Sequence, residues 1–119
     1  MSKKKILIAD DDRGLTHLLN AYLVEKGYTT VIAHDGAEAL TLLEREHPDL
    51  IVLDVVMPKV NGYDFLFEMR KVEDALKVPV IVLTGKPDMA DIFKVEGVVE
   101  YLVKPFTPQE LMEKIKKYI

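Results

Sequence analysis

The sequence predicts an α/β fold: a five-stranded parallel sheet, doubly wound, with five helices covering both faces to give three layers. Three observations carry this expectation. Strand-like and helix-like stretches alternate five times along the chain. Two of the strand-like runs, Leu50–Leu53 and Val80–Leu83, are apolar at every position, the pattern of strands buried on both faces. The length, 119 residues, suits one domain, residues 1–119, with no staple needed to complete a core.

The elements follow in order. Residues 4–9, Lys-Lys-Ile-Leu-Ile-Ala, read as the first strand. Leu15, Leu18, Leu19, Tyr22 and Leu23 then recur at helical spacing as one apolar stripe. Gly27 stands where a helix end takes a left-handed residue. Residues 28–33 form a second strand, and Asp35 is placed to cap a second helix with the stripe Ala37, Leu40, Leu43. Pro48-Asp49 breaks the chain before the third strand, Leu50 to Asp54. A third helix starts near Asn61 or Gly62, with Phe65, Leu66 and Met69 inward. Val80 to Thr84 is the fourth strand, residues 88–96 a short helix closed by Gly97, and Glu100 to Val103 the fifth strand. Thr107-Pro108-Gln109-Glu110 is a capping box with proline at the first helical position. It opens a last helix with the stripe Leu111, Met112, Ile115 and Ile119.

Composition excludes several classes. There is no cysteine, so thiolate chemistry and disulfides are out. The lysine-rich start runs into only four apolar residues, Ile6 to Ala9, too few for a signal peptide or a span. A cytoplasmic protein without membrane attachment is the expectation. A net charge of −4 disfavours direct nucleic-acid binding. Lys114, Lys116 and Lys117 suit the negative end of the last helix.

In doubly wound sheets ligands sit at the carboxyl ends of the strands. After the first strand come Asp10, Asp11 and Asp12; Asp54 ends the third, Thr84 the fourth, and Lys104 follows the fifth. Each alone has a plain reading as a cap, a turn or a solvated lysine. Their convergence from four stretches of chain does not. Two carboxylates about 5 Å apart repel by roughly 3 kcal/mol at an effective dielectric near 20. A divalent cation relieves this, and Mg2+ takes oxygen ligands while bridging carboxylates to phosphate. A lysine and a threonine beside it would meet phosphoryl oxygens, so the set suits phosphoryl transfer with Asp54 as nucleophile. His17, His34 and His47 lack metal-ligand spacing and read as surface or capping residues. Gly85-Lys86 lacks the rest of a phosphate loop.

The segments ILIADDD, LIVLDVVMPKVNG, VIVLTG and YLVKPF, in that order, resemble the receiver domain of bacterial two-component response regulators, of the single-domain chemotaxis type. The resemblance covers essentially the whole chain. It implies a flavodoxin-like sheet of strand order 2-1-3-4-5. It also implies that Asp54 accepts a phosphoryl group from a sensor histidine kinase, a phosphotransfer protein or a small phosphodonor. Asp11, Asp54 and the backbone carbonyl of Val56 would bind Mg2+ directly, and Asp10 through water. Thr84 and Lys104 would contact the phosphoryl group, Thr84 and Tyr101 would move on activation, and the bond before Pro105 would be cis. Such a domain is a signalling switch that promotes only its own phosphorylation and dephosphorylation and controls a partner protein. Two alternatives stand beside it. One is a haloacid-dehalogenase-like Mg2+ phosphatase built on Asp10-x-Asp12, against which stand Gly14 and Leu15 where threonine or valine is expected. The other is a pseudo-receiver that binds without being phosphorylated.

Two departures from the family pattern matter. The stretch from Thr84 to Lys104 is two residues shorter than usual, which puts in doubt how a signal leaves the site. Gly85 stands where alanine is commoner and frees the local backbone. Val56 and Lys86 flank the expected path of water to the phosphoryl group, and valine cannot hydrogen-bond a water. We therefore expect slow self-dephosphorylation. The acyl phosphate of Val56→Asn should decay faster than the native one when the phosphorylated mass is followed in time; equal or slower decay refutes the idea.

Overall fold

The apolar runs set the sheet. The computed structural model describes residues 3–55, 62–69, 71–72, 77–85 and 97–119. Within them β1 (Lys5–Ala9), β2 (Thr29–Ala33), β3 (Leu50–Asp54), β4 (Val80–Thr84) and β5 (Val98–Val103) form one five-stranded parallel sheet in the order β2-β1-β3-β4-β5. Every residue of β3 and β4 is buried, as strands covered on both faces require. The helices are α1 (Arg13–Glu25), α2 (Gly36–Glu46), α3 (Gly62–Met69) and α4 (Pro108–Ile115). The helix expected over 88–96, and the residues Val56, Met57, Pro58 and Lys86, lie outside the described residues. Among the described residues no helix is long and apolar enough to cross a membrane.

Alternation along each strand divides the core in two. Leu7, Ala9, Ile51, Leu53, Val80 and Val82 face α2 and α3, where they meet Ala39, Leu42, Leu43, Phe65, Leu66 and Met69. Ile6, Ile8, Leu50, Val52, Ile81 and Leu83 face α1 and α4, where they meet Leu19, Leu23, Leu111, Met112 and Ile115. Each such side chain contributes about 2 kcal/mol by leaving water. Together they fix the strand register and so the positions of the strand ends.

Local chemistry places the boundaries. Asp12, Asp35 and Thr107 cap α1, α2 and α4 by accepting the backbone N–H groups of Leu15, Glu38 and Glu110. The Thr107–Glu110 capping box is complete. Gly27 and Gly97 take positive φ, 99° and 95°. His47 ends α2 in the left-handed region at φ 48°, a capping role of the kind expected for it.

Some elements differ from the sequence reading. In α2 the buried stripe is Ala39, Leu42 and Leu43, with Ala37 exposed and Leu40 half-buried. Leu18 of α1 is 52% exposed, off the stripe that holds Leu19 and Leu23. The strand β5 starts at Val98, two residues before the predicted Glu100. The cause is a register shift opposite Val80 and Ile81, whose partners are Val98 and Glu100. Val99 is the extra residue of this bulge. It packs on the α1 and α4 side, and Glu100, paired with Ile81, leaves the sheet on that same side.

The bulge hands Glu100 to the end of the chain. Its carboxylate accepts from Tyr118 Oη at 2.7 Å and from Lys114 Nζ at 3.2 Å, with Lys117 Nζ at 3.8 Å. Two of the lysines expected to serve the helix end thus pair with a strand instead. The Tyr118 hydrogen bond, followed by Lys114 and Lys117, holds the Glu100 pKa below its ordinary value of 4.5 against the opposing effect of burial. A depressed carboxylate pKa adds stability that is present above the ordinary value and is lost as pH falls through the folded one. The stability gap between the native chain and Glu100→Gln should therefore be open at neutral pH and close below pH 4.5, read by urea unfolding across pH.

Candidate functional site

Four strand ends build the site. The order of the strands reverses between β1 and β3, and the chain leaves their carboxyl ends at Asp10 and Asp54. Asp10 continues the ladder by donating its N–H to the Ala33 carbonyl at 3.0 Å. Its side chain is 0% exposed and fully engaged. Oδ1 accepts the Asp12 N–H at 2.9 Å, and Oδ2 accepts Lys104 Nζ at 2.8 Å. Asp54, 6% exposed, accepts from the same Nζ at 3.4 Å. Asp11 is exposed beside them. One carboxylate oxygen from each of Asp10, Asp11 and Asp54 lies within 4.8 Å of the others.

Lys104 reaches this point because its backbone is tied to β4. Its N–H donates to the Thr84 carbonyl at 2.8 Å, and the Lys104–Pro105 peptide bond is cis. Burial alone would pull the Lys104 ammonium toward release of its proton. The hydrogen bond and charge of Asp10, then those of Asp54, outweigh this and raise its pKa above 10.5. Thr84 is buried at the end of β4. Tyr101, 38% exposed, pairs with Val82 and so leaves β5 on the α2 and α3 side, opposite to Glu100. A cavity of about 360 Å3 opens beside Lys104, lined also by Asp12, Leu15, Pro105 and Phe106.

The structure thus brings Asp10, Asp11, Asp54 and Lys104 into one cluster, with Thr84 bonded to it through the backbone. Tyr101 lies on the edge strand β5, and Val56 is outside the described residues. Asp12 is spent as the α1 cap, which weakens any two-carboxylate site of the Asp10-x-Asp12 type. One neighbour escaped the sequence reading: His34 Nδ1 lies 3.1 Å from the Asp10 carbonyl oxygen. The usable signal was its position, one residue past the end of the strand that pairs with β1.

The chemistry of the donors is oxygen-only and anionic. At 4.8 Å a pair of carboxylates repels by roughly 3 kcal/mol at an effective dielectric near 20. Among the described residues one ammonium, that of Lys104, reaches this cluster of three carboxylates, which leaves negative charge in excess, and a hard divalent cation fits such a set.

A five-stranded parallel sheet of this order, with acids and a lysine at its carboxyl rim, defines a flavodoxin-like domain with an acidic site at the mouth of the sheet. The chain belongs to the response regulator receiver domain family, which it matches over residues 6–116. It is 46% identical over 121 aligned residues to the probable transcriptional regulator ycf27 of Cyanophora paradoxa, an alignment that covers all of this chain and 49% of that protein. The chain spans about half the length of the curated relatives it matches. Its fold superposes on the chemotaxis protein CheY4 of Vibrio cholerae with a TM-score of 0.92 at 29% identity, covering 99% of this chain and 100% of that one. Response regulator TrrA of Thermotoga maritima, solved in complex with Mg(2+)-BeF, is 34% identical with a TM-score of 0.85, covering 98% and 99% of the two chains.

Lys104 is the cation that the buried Asp10 depends on. Leaving that carboxylate without it costs roughly 2 kcal/mol. Lys104→Met should lose about that much stability in metal-free buffer, measured by urea unfolding with chelator present; an unchanged midpoint would show that the pair contributes nothing.

Proposed function

We propose that this domain is a phosphorylation switch in which Asp54 accepts the phosphoryl group with Mg2+ bound beside it. The single observation that supports this most is the approach of the Asp10, Asp11 and Asp54 carboxylates to within 4.8 Å, with Lys104 reaching both buried acids. Asp11, Asp54 and the Val56 carbonyl would hold the ion, with Asp10 bound through water. When bound, Mg2+ supplies charge neutralisation for the carboxylates and for the oxygens of the transferring group.

The chain's own residues do the rest. A carboxylate oxygen of Asp54 attacks phosphorus in line with the leaving group. The bond from phosphorus to the donor, a histidine nitrogen of a sensor kinase or phosphotransfer protein or the acyl oxygen of a small phosphodonor, breaks as the new P–O bond forms. The electron pair leaves with the donor, and an acyl phosphate remains on Asp54. Lys104 turns from Asp10 toward the new phosphoryl oxygens, and the Thr84 hydroxyl donates to another. Asp54 is held at the end of a buried strand, so it meets the donor already oriented, and positioning of this kind lowers a barrier without acid–base chemistry. The domain promotes its own phosphorylation and dephosphorylation and acts on no other substrate.

The added charge favours one of two arrangements of Thr84 and Tyr101, and that population shift is the signal. The output is control of a protein partner in the cytoplasm. Relatives such as ycf27 and CpxR of Klebsiella pneumoniae are named as transcriptional regulators, and this chain covers about half of each. Regulation of transcription is accordingly one destination of the signal. The net charge of −4 argues against DNA contact by this domain itself.

Intact mass after incubation with acetyl phosphate tests the reading. The native chain with Mg2+ should gain one phosphoryl group. Chelator and Asp54→Asn should each abolish the gain. Persistence of the adduct in Asp54→Asn moves the acceptor elsewhere, and steady turnover of acetyl phosphate without any adduct points to a phosphatase.

A further inference from the structure

We infer that His34 is a positioning residue for the metal-binding turn, an inference that rests on the Mg2+ reading above. His34 follows the last residue of β2, half-buried at the rim. Its Nδ1 lies 3.1 Å from the carbonyl oxygen of Asp10. A carbonyl can only accept, so Nδ1 carries the proton in this contact. The carbonyl of Asp10 belongs to the peptide plane that joins Asp10 to Asp11. That plane is rigid, so fixing its oxygen fixes the direction in which the chain delivers Asp11. The histidine therefore acts on the orientation between the two acids through the backbone that joins them.

His34 is itself held in place. Its backbone N–H donates to Glu38 Oε1 at 2.8 Å, and the Glu38 N–H is taken by the Asp35 carboxylate at 2.8 Å. The backbone of His34 is thus anchored to the first turn of α2. On its far side Asp10 Oδ1 accepts the Asp12 N–H at 2.9 Å. The turn Asp10–Asp11–Asp12 is gripped from the α2 side by His34 and from the α4 side by Lys104. Without the His34 contact the peptide between Asp10 and Asp11 keeps one tether fewer, and part of the ion's binding free energy must go into ordering it.

Groups that orient the immediate ligands of a metal commonly change affinity by 10–100-fold when removed. A backbone tether one peptide away falls at the low end. His34→Ala and His34→Phe, which both delete the donor, should weaken Mg2+ binding roughly tenfold by titration calorimetry of the metal-free chain. His34→Asn places an amide N–H at the same distance from Cβ as Nδ1 and should bind within about threefold of the native chain. A role confined to packing would lower the melting temperature of both donor-less variants and leave their Mg2+ affinity native, and that result overturns the inference. So does equal weakening in His34→Asn. A native chain that gives no heat with Mg2+ overturns the metal reading itself, and this inference with it.

Discussion

The contact on which the rest depends is the one from Lys104 to Asp10 and Asp54. Two carboxylates are buried at the mouth of a parallel sheet, where an unpaired charge costs several kcal/mol. The Lys104 ammonium, 2.8 Å from one and 3.4 Å from the other, offsets much of that cost. The ammonium comes from beyond β5, whereas the acids end β1 and β3. The pairing therefore ties the sheet across β4 at its working end. The Thr84 carbonyl, which takes the Lys104 N–H, sets how far the lysine can reach.

Much of this was written plainly in the chain. Continuous apolar runs announced β3 and β4, and capping residues announced the starts of α1, α2 and α4. The cluster Asp10, Asp11, Asp54 and Lys104 was legible because strand ends in such a sheet must share one rim. What escaped has physical causes. The start of β5 was hidden by the Val99 bulge, since an extra residue breaks the period of two on which a strand is recognised. The inward face of α2 was off by a position because Leu40, Leu42 and Leu43 allow two stripes, and only packing against β1 and α3 decides between them. Leu18 fits a helical stripe by spacing yet points to solvent. His34 was invisible as a partner of Asp10 because the two are joined across a strand pair, and no local spacing encodes that.

The two faces of β5 carry different traffic. Tyr101 leaves the sheet on the side of α2 and α3, while Glu100, turned by the bulge, is bound to Lys114 and Tyr118 on the side of α4. Adjacent residues of one strand thus belong to separate assemblies. A rearrangement of Tyr101 under the proposed switch would reach α4 through the backbone they share, which the Glu100 pairings stiffen. The grip on the Asp10 turn has the same character. Its two tethers come from different parts of the chain, His34 just past β2 and Lys104 just past β5.

Asp54 ends a strand with no exposed residue and with hydrogen-bonded neighbours on both flanks. An aspartate so mounted cannot lean out to meet a visitor. Under the proposed function, a donor must come down the strand axis from the open end of the sheet and present its reactive group within a narrow cone. Discrimination between donors then falls to the surrounding loops and helix tips, which can diverge freely while the immobile centre stays the same.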